Sequence, residues 1–195
     1  MQTIEQLNEL LRQTFTPEAA IACKTLVLGE GQAHQPCVML IGEAPGEQED
    51  RQGRPFVGKA GKNLDEFLHV IELNREDIYI TNTVKIRPTK TSEKGRTSNR
   101  TPNEEELQRF VPYLLAEIAL VQPKYVVTLG NTALHAIHGR KATIGECHGQ
   151  CLTCRAGNAE IQLFPLYHPA SIIYNQKLKD VYQADLAALK RVLES

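Results

Sequence analysis

Apolar residues along the chain fall into two rhythms. Unbroken apolar or β-branched runs occur at Val38–Ile41, Ile78–Val84, Lys124–Leu129 and Ile161–Leu166, and short runs of this kind predict buried strands. Between them, apolar positions recur at helical spacing. Ile4, Leu7, Leu10 and Leu11, with Thr3 available as an N-cap, predict an amphipathic helix over 3–14 that covers the sheet. Leu64, Phe67, Leu68 and Ile71 mark a helix over 60–73. Further helices are predicted over 104–121, over 131–138 and from about 177 to 193, while Val27-Leu28-Gly29-Glu30-Gly31 reads as a turn. This alternation predicts an α/β fold, a three-layer αβα sandwich in one domain spanning 1–195, with a central, mostly parallel sheet of about four strands.

One stretch departs from both rhythms. The first strand stops at Gly42 and gives way to a Pro45-Gly46 turn, a cluster of acids and a second glycine-rich bend ending at Gly61. Ligands in open α/β sheets sit at such strand ends. Gly46, Gly53, Gly58 and Gly61 let backbone approach a ligand closely, and Phe56 stands among them with no periodic partner to make it core. The helix over 60–73 begins at these glycines, so its first N–H groups would offer an anion a positive dipole end.

Composition narrows the function classes. The chain has 195 residues, 42% of them hydrophobic, and a formal net charge of −1. There is no global basic field, so a polyanion would have to be met by a local patch. No apolar run approaches the ~20 residues that cross a bilayer, and the polar start Met1-Gln-Thr-Ile-Glu-Gln is not a signal peptide. The expectation is a soluble, cytoplasmic protein. A local basic patch does exist: Lys85, Arg87, Lys90, Lys94, Arg96 and Arg100 stand against the one acid Glu93 in a segment, 85–103, without apolar periodicity.

Five cysteines, an odd number, fit free thiols better than a disulfide framework. Cys147, Cys151 and Cys154 crowd around His148. Zinc at this Cys-x-x-Cys is the sharper reading; ordinary thiols at a hairpin are favoured, because no second ligand pair is evident.

The polar residues that a core does not need collect at strand ends: Glu43 and Glu49 after the first strand, Asn82 at the second, His168 at the last. In a parallel sheet those ends share one edge. Taken singly, each has a bland explanation, as a solvated turn glutamate, an Asx turn, a packed His-Pro or a core phenylalanine. Their joint placement favours a site.

The ordered motifs Gly42-Glu-Ala-Pro-Gly46 with Glu49-Asp50, Gly53-x-Pro55-Phe56-Val57-Gly58, Ala60-Gly61 and Leu64, then Thr81-Asn82-x-Val84-Lys85-x-Arg87-Pro88, then His168-Pro169-Ala170 resemble the uracil-DNA glycosylase superfamily, and within it family 4. The resemblance runs from about Gly29 to the C-terminus. It implies cleavage of the N-glycosidic bond of uracil, with other deaminated bases as further candidates, in DNA. His168 would donate to the uracil carbonyl oxygen as charge accumulates there, and Glu43 and Glu49 would hold the attacking water and stabilise the sugar cation. Asn82 would read the base edge, Phe56 would stack on it, and Gly42, Ala44 and Gly46 would line the base site. Gly46 stands where other branches exclude thymine with a bulky ring, and Ala44 where the best-known branch has an aspartate.

For DNA, the resemblance implies phosphate contacts from Lys59, Lys62, Arg87 and the basic segment, and a wedge from Ser171, Ile172 and Ile173, on an apparent loop, into the stack vacated by the flipped nucleotide. Family 4 also implies an iron–sulfur cluster on four cysteines. Here Ile86 and Phe110 stand at two of those places, and Cys23 has no partner three residues away. No cofactor and no metal are therefore expected. A monomer with no partner besides uracil-containing DNA is expected. Residues 85–103 contain no histidine of the kind that cross-linking relatives use. Two rivals remain: a DNA-binding module with weak or no catalysis, and a nucleotide-binding protein built on the P-loop-like run from Gly53 to Ala60, which lacks the magnesium-binding hydroxyl.

Overall fold

The computed structural model describes residues 2–174 and 178–194, with the side chains of 172–174 outside that description. Its main sheet has six strands: β1 (Glu30–Gly31), β2 (Val38–Gly42), β3 (Tyr79–Asn82), β6 (Tyr125–Leu129), β7 (Leu152–Ala156) and β8 (Ala159–Leu166), in the order β1-β3-β2-β6-β8-β7. The inner four run parallel. At the edges, β1 pairs antiparallel with β3 and β7 antiparallel with β8. The sheet is thus six-stranded and mixed, not a mostly parallel one of about four strands. Both missed strands sit at edges, where the apolar signal is weak. β1 is two residues long inside an expected turn, and β7 buries only every other side chain or fewer. The inner strands β2 and β6 are buried at all five positions each, which is why they appear in the sequence as unbroken runs.

The pleat sends alternate residues of β2 into two different cores. Val38 and Leu40 join Leu64, Phe67 and Leu68 of α3 (Lys59–Val70) and Leu186 and Leu189 of α8 (Leu178–Glu194). Met39 and Ile41 join Leu114, Ile118 and Val121 of α4 (Glu104–Val121) and Ala133, Leu134 and Ile137 of α5 (Asn131–His138). Helices therefore cover both faces of the sheet.

The first helix, α1 (Ile4–Ile21), runs longer than 3–14 and continues through Pro17. It packs chiefly on α4 rather than over the sheet, with Ile4 reaching the cluster that contains Met39 and Ile41. Leu7, Leu11 and Phe15 pack with Phe110 of α4 and Val84 in a third apolar cluster, with the Phe15 and Phe110 rings stacked at 4.4 Å.

Three shorter helices and one 3-10 turn go beyond the sequence pattern: α2 (Glu47–Gln52), α6 (Ile144–Cys147), α7 (Pro169–Tyr174) and the turn Arg75–Asp77. Residues 171–174, expected on a loop, are thus helical. The basic segment is not structureless either. β4 (Thr89–Thr91) and β5 (Thr97–Asn99) form a hairpin within it.

Candidate functional site

The site begins where β2 and β3 end side by side, with Gly42 in register with Asn82. A Cβ placed on Gly42 would lie 2.5 Å from Asn82 Oδ1 and 2.5 Å from Phe56 Cζ. The bare backbone of Gly42 is therefore the surface on which an amide and an aromatic ring meet. Both side chains are nearly enclosed, Phe56 at 5% and Asn82 at 3% exposure. Among the described residues, no hydrogen bond uses the Asn82 amide group, which leaves its donor and acceptor uncommitted.

Phe56 is held there against its backbone preference, with φ +53°. Arg75, the first residue of the 3-10 turn, donates to the Phe56 carbonyl at 3.0 Å and also to the Pro55 carbonyl. Glu30 on the edge strand in turn pairs with Arg75 at 3.2 Å and with Arg54 at 2.8 Å. Gly61 closes the bend, since a Cβ there would fall 1.9 Å from the Phe56 carbonyl oxygen.

The glycine-rich loop folds around one carboxylate. Glu49, on α2, accepts from the N–H groups of Gly46 at 3.0 Å, Val57 at 2.9 Å and Gly58 at 2.6 Å. The anion drawn to the start of α3 is thus the chain's own Glu49. The P-loop-like run consequently has two of its N–H groups committed to a side chain. Gly46 has a local reason to be glycine, because a Cβ would meet Glu49 Oε2 at 2.7 Å.

Glu43 follows Gly42, and its carboxylate accepts from the Thr132 hydroxyl, on the first turn of α5, at 2.5 Å. Gly130, at φ +83°, makes the turn from β6 into α5. It faces His168, since a Cβ there would touch the His168 Cβ at 3.4 Å. The His168 ring lies 6.5 Å from that of Phe56, with 26° between their planes. Its Nδ1 accepts from the Ala170 N–H at 3.2 Å. Burial holds the imidazole below its ordinary pKa. Asn63 of α3 reaches the Pro169 carbonyl at 3.3 Å and ties this turn to the glycine loop's helix.

Behind Asn82 lies a fully buried ion pair. Lys85, at 0% exposure, donates to Glu117 at 2.7 Å, to Thr81 Oγ1 at 2.5 Å and to the Asn82 carbonyl at 2.8 Å. Glu117 also accepts from Tyr79 at 2.8 Å, and burial together with that carboxylate pushes the phenol's pKa upward. Lys85 is therefore a strut inside the fold and not part of a phosphate-facing run.

The remaining expected contacts divide. Lys59 and Lys62 are exposed on the first turn of α3, and Lys90, Lys94 and Arg96 on the hairpin. Arg87, by contrast, is only 12% exposed, donates to Asn99 at 2.7 Å and lies 3.7 Å from Glu47 and 3.8 Å from Asp50. Its charge is spent on α2. Ser171 is half-buried on α7, and the Ile172 and Ile173 side chains fall outside the described residues. Ala44 packs against the cluster around Phe110.

Among the described residues, no three metal-capable side chains come together, and burial raises the Cys151 and Cys154 thiols rather than activating them. Nor do the residues present fit an iron–sulfur cluster. Ile86 packs against the apolar cluster that contains Phe110, while Cys23 is exposed.

A cleft of about 540 Å³ lies between α4 and α5, lined by Leu107, Val111, Ala136, His135 and Arg140 among others, and it shares only Thr132 with the strand-end cluster. Thr132, Arg75 and Glu117 are the functional candidates that the sequence left unmarked, and Lys85 belongs with Glu117 and not with the basic patch. Only the Thr132 hydroxyl at a helix start carried a local hint.

Comparison with known proteins identifies the family. The profile described as the Uracil DNA glycosylase superfamily matches residues 28–190. The type-4 uracil-DNA glycosylase of Pyrobaculum aerophilum is 37% identical over 188 residues, spanning 94% of this chain and 91% of that one. Its counterpart from Saccharolobus solfataricus is 37% identical over 177 residues, spanning 88% and 78%. The crystal structure of Pedobacter heparinus SMUG2 shares the fold, with a TM-score of 0.54 at 15% identity over 83% of this chain and 77% of that one.

Proposed function

This chain belongs to the uracil-DNA glycosylase superfamily, on its type-4 side, and from that premise we propose that it hydrolyses the N-glycosidic bond of uracil in DNA, leaving an abasic site. The observation that carries the reading is the meeting of the Asn82 amide and the Phe56 ring over Gly42, with His168 facing that ring.

Asn82 presents a donor and an acceptor to the base edge, and a wrong base leaves one of them unmet at a cost of about 1–3 kcal/mol. Phe56 supplies the stacking face. The Ala170 N–H occupies His168 Nδ1, so the neutral ring carries its proton on Nε2 and donates it to the carbonyl oxygen of the departing uracil. Glu43 holds the attacking water and faces the positive charge that develops on the sugar. Glu49 acts as a positioning residue, because its oxygens already serve three backbone N–H groups.

Because Phe56 and Asn82 are nearly enclosed, a base reaches them only after leaving the stack. Lys59, Lys62 and the β4–β5 hairpin supply phosphate contacts, and the hairpin replaces Arg87 in that role. The chain acts as a monomer without a metal.

The test is incubation with a uracil-containing oligonucleotide followed by alkali. Strand breaks at uracil are expected from the wild type, and a fall of about 10²–10⁴-fold from His168→Gln. Tight binding with intact DNA would instead favour a binding module.

A further inference from the structure

We propose that Thr132 is the positioning residue that aims Glu43, an inference that rests on the glycosylase reading above. Glu43 lies just past the end of β2, in no regular element, and its backbone is fixed by the Val84 N–H donating to its carbonyl at 3.2 Å. Its side chain has three rotatable bonds and would sample several directions, at an entropic cost each time it must find the right one. Among the described residues, the Thr132 hydroxyl at 2.5 Å is the one hydrogen-bonding partner of that carboxylate.

Thr132 is well suited to hold it. As the second residue of α5 it sits on a rigid element, and β-branching restricts its χ1. The helix itself is pinned at this end by the Leu134 N–H donating to the Gly130 carbonyl at 3.3 Å, and Gly130 is bonded to Leu166 of β8 at 2.8 Å. The hydroxyl has one proton, and it goes to Glu43 Oε2. A bond this short from a hydroxyl to a carboxylate is of the charge-assisted kind. It leaves Oε1 free to take a water, and it fixes where that water stands relative to the base held by Asn82 and Phe56. Thr132 does not itself touch the reacting atoms.

The test compares Thr132→Val, which keeps shape and branching but removes the donor, with Thr132→Ser, which restores the donor. Uracil excision by Thr132→Val is expected to lose roughly tenfold to a hundredfold in kcat. Its affinity for DNA carrying non-cleavable 2′-fluoro-deoxyuridine should stay unchanged, and Thr132→Ser should recover most of the rate. A crystal structure of Thr132→Val should show the Glu43 carboxylate turned away from its wild-type direction. Wild-type kcat in Thr132→Val, or equal losses in the Val and Ser variants, would overturn the inference, provided that Glu43→Gln is crippled. If the wild type excises nothing, the glycosylase reading fails instead, whereas a fully active Glu43→Gln would leave that reading standing and overturn the role of Glu43 that this inference serves. The direction of the carboxylate in the Thr132→Val crystal structure then still decides whether Thr132 positions it.

Discussion

The Ala170 N–H donates to Nδ1 of His168 at 3.2 Å, across a proline that has no N–H of its own to offer. A ring nitrogen that accepts cannot carry the proton, so the neutral tautomer is Nε2–H. Burial lowers the pKa of this histidine, which opposes the imidazolium. The sign follows directly. The neutral ring's contribution to stability is intact above the ordinary imidazole pKa of about 6.5 and is lost as pH falls through the lower folded value. Excision should therefore persist below about pH 6.5 and fail only on further acidification. Nitrogen-15 NMR titration of the histidines should find the Nε2–H tautomer and a midpoint below the unfolded value. A protonated ring at neutral pH would defeat this account.

Gly42 offers a test of the base site that is separate from catalysis. Gly42→Ala puts a methyl 2.5 Å from both the Asn82 amide oxygen and the Phe56 ring. One of the two must move, and whichever moves no longer frames the base. Affinity for an extruded uracil should fall by at least tenfold, while binding to undamaged DNA, assigned in the proposed function to surface lysines, should hold. Fluorescence anisotropy with matched uracil and thymine duplexes would measure the difference. A variant that binds uracil DNA normally would show that Asn82 and Phe56 do not form the base site.

Glu49 tests the loop. Glu49→Ala strands three N–H groups, those of Gly46, Val57 and Gly58, at about 1–3 kcal/mol for each one that water cannot reach. Glu49→Gln retains an acceptor and should lose less. The prediction is a ranked fall in midpoint by urea unfolding, with activity following stability. If Glu49→Gln were fully stable yet inactive, Glu49 would be a group that acts on the water and not a support for the loop.

These cases show why part of the molecule was legible before its structure. Gly42 and Asn82 end strands buried at every position, and His168 stands two residues past β8, whose last four positions are buried, so their convergence follows from the rule that parallel strands end on one edge. The edge strands broadcast no such signal, because β1 is two residues long and β7 is half exposed. The surroundings of Lys85 and Arg87 are hidden from the sequence for a related reason. A lysine in a basic run looks solvated, and only the position of Glu117, thirty-two residues on along the chain, shows that it is not. Likewise, Arg87 lies among cations in sequence and among Glu47 and Asp50 in space.

The buried pair leads to a prediction of its own. Lys85→Met leaves the Glu117 carboxylate uncompensated in a fully buried place, which costs about 3–5 kcal/mol. It also frees the Asn82 carbonyl, to which the ammonium is bonded at 2.8 Å. Stability by chemical denaturation should fall by that amount, and discrimination between uracil and cytosine should relax in whatever protein remains folded. Unchanged stability would mean that the pair is not closed off from solvent.

The last prediction concerns the place where an iron–sulfur cluster is implied by resemblance. Ile86 and Phe110 share one apolar cluster, and Phe110 stacks on Phe15 at 4.4 Å with Tyr113 edge-on to Phe15 at 5.4 Å. These two aromatic rings of α4 in contact with Phe15 join α1 to α4. Removing one ring should then cost what a core truncation costs, about 3–5 kcal/mol for Phe110→Ala, with no dependence on iron in the growth medium. Because α1 packs chiefly on α4, the loss should loosen α1 first, and hydrogen exchange should rise over residues 4–21 before it rises in β2 or β6. Stoichiometric iron in the purified protein, or a Phe110→Ala variant as stable as the wild type, would show that something other than this packing holds the two helices together.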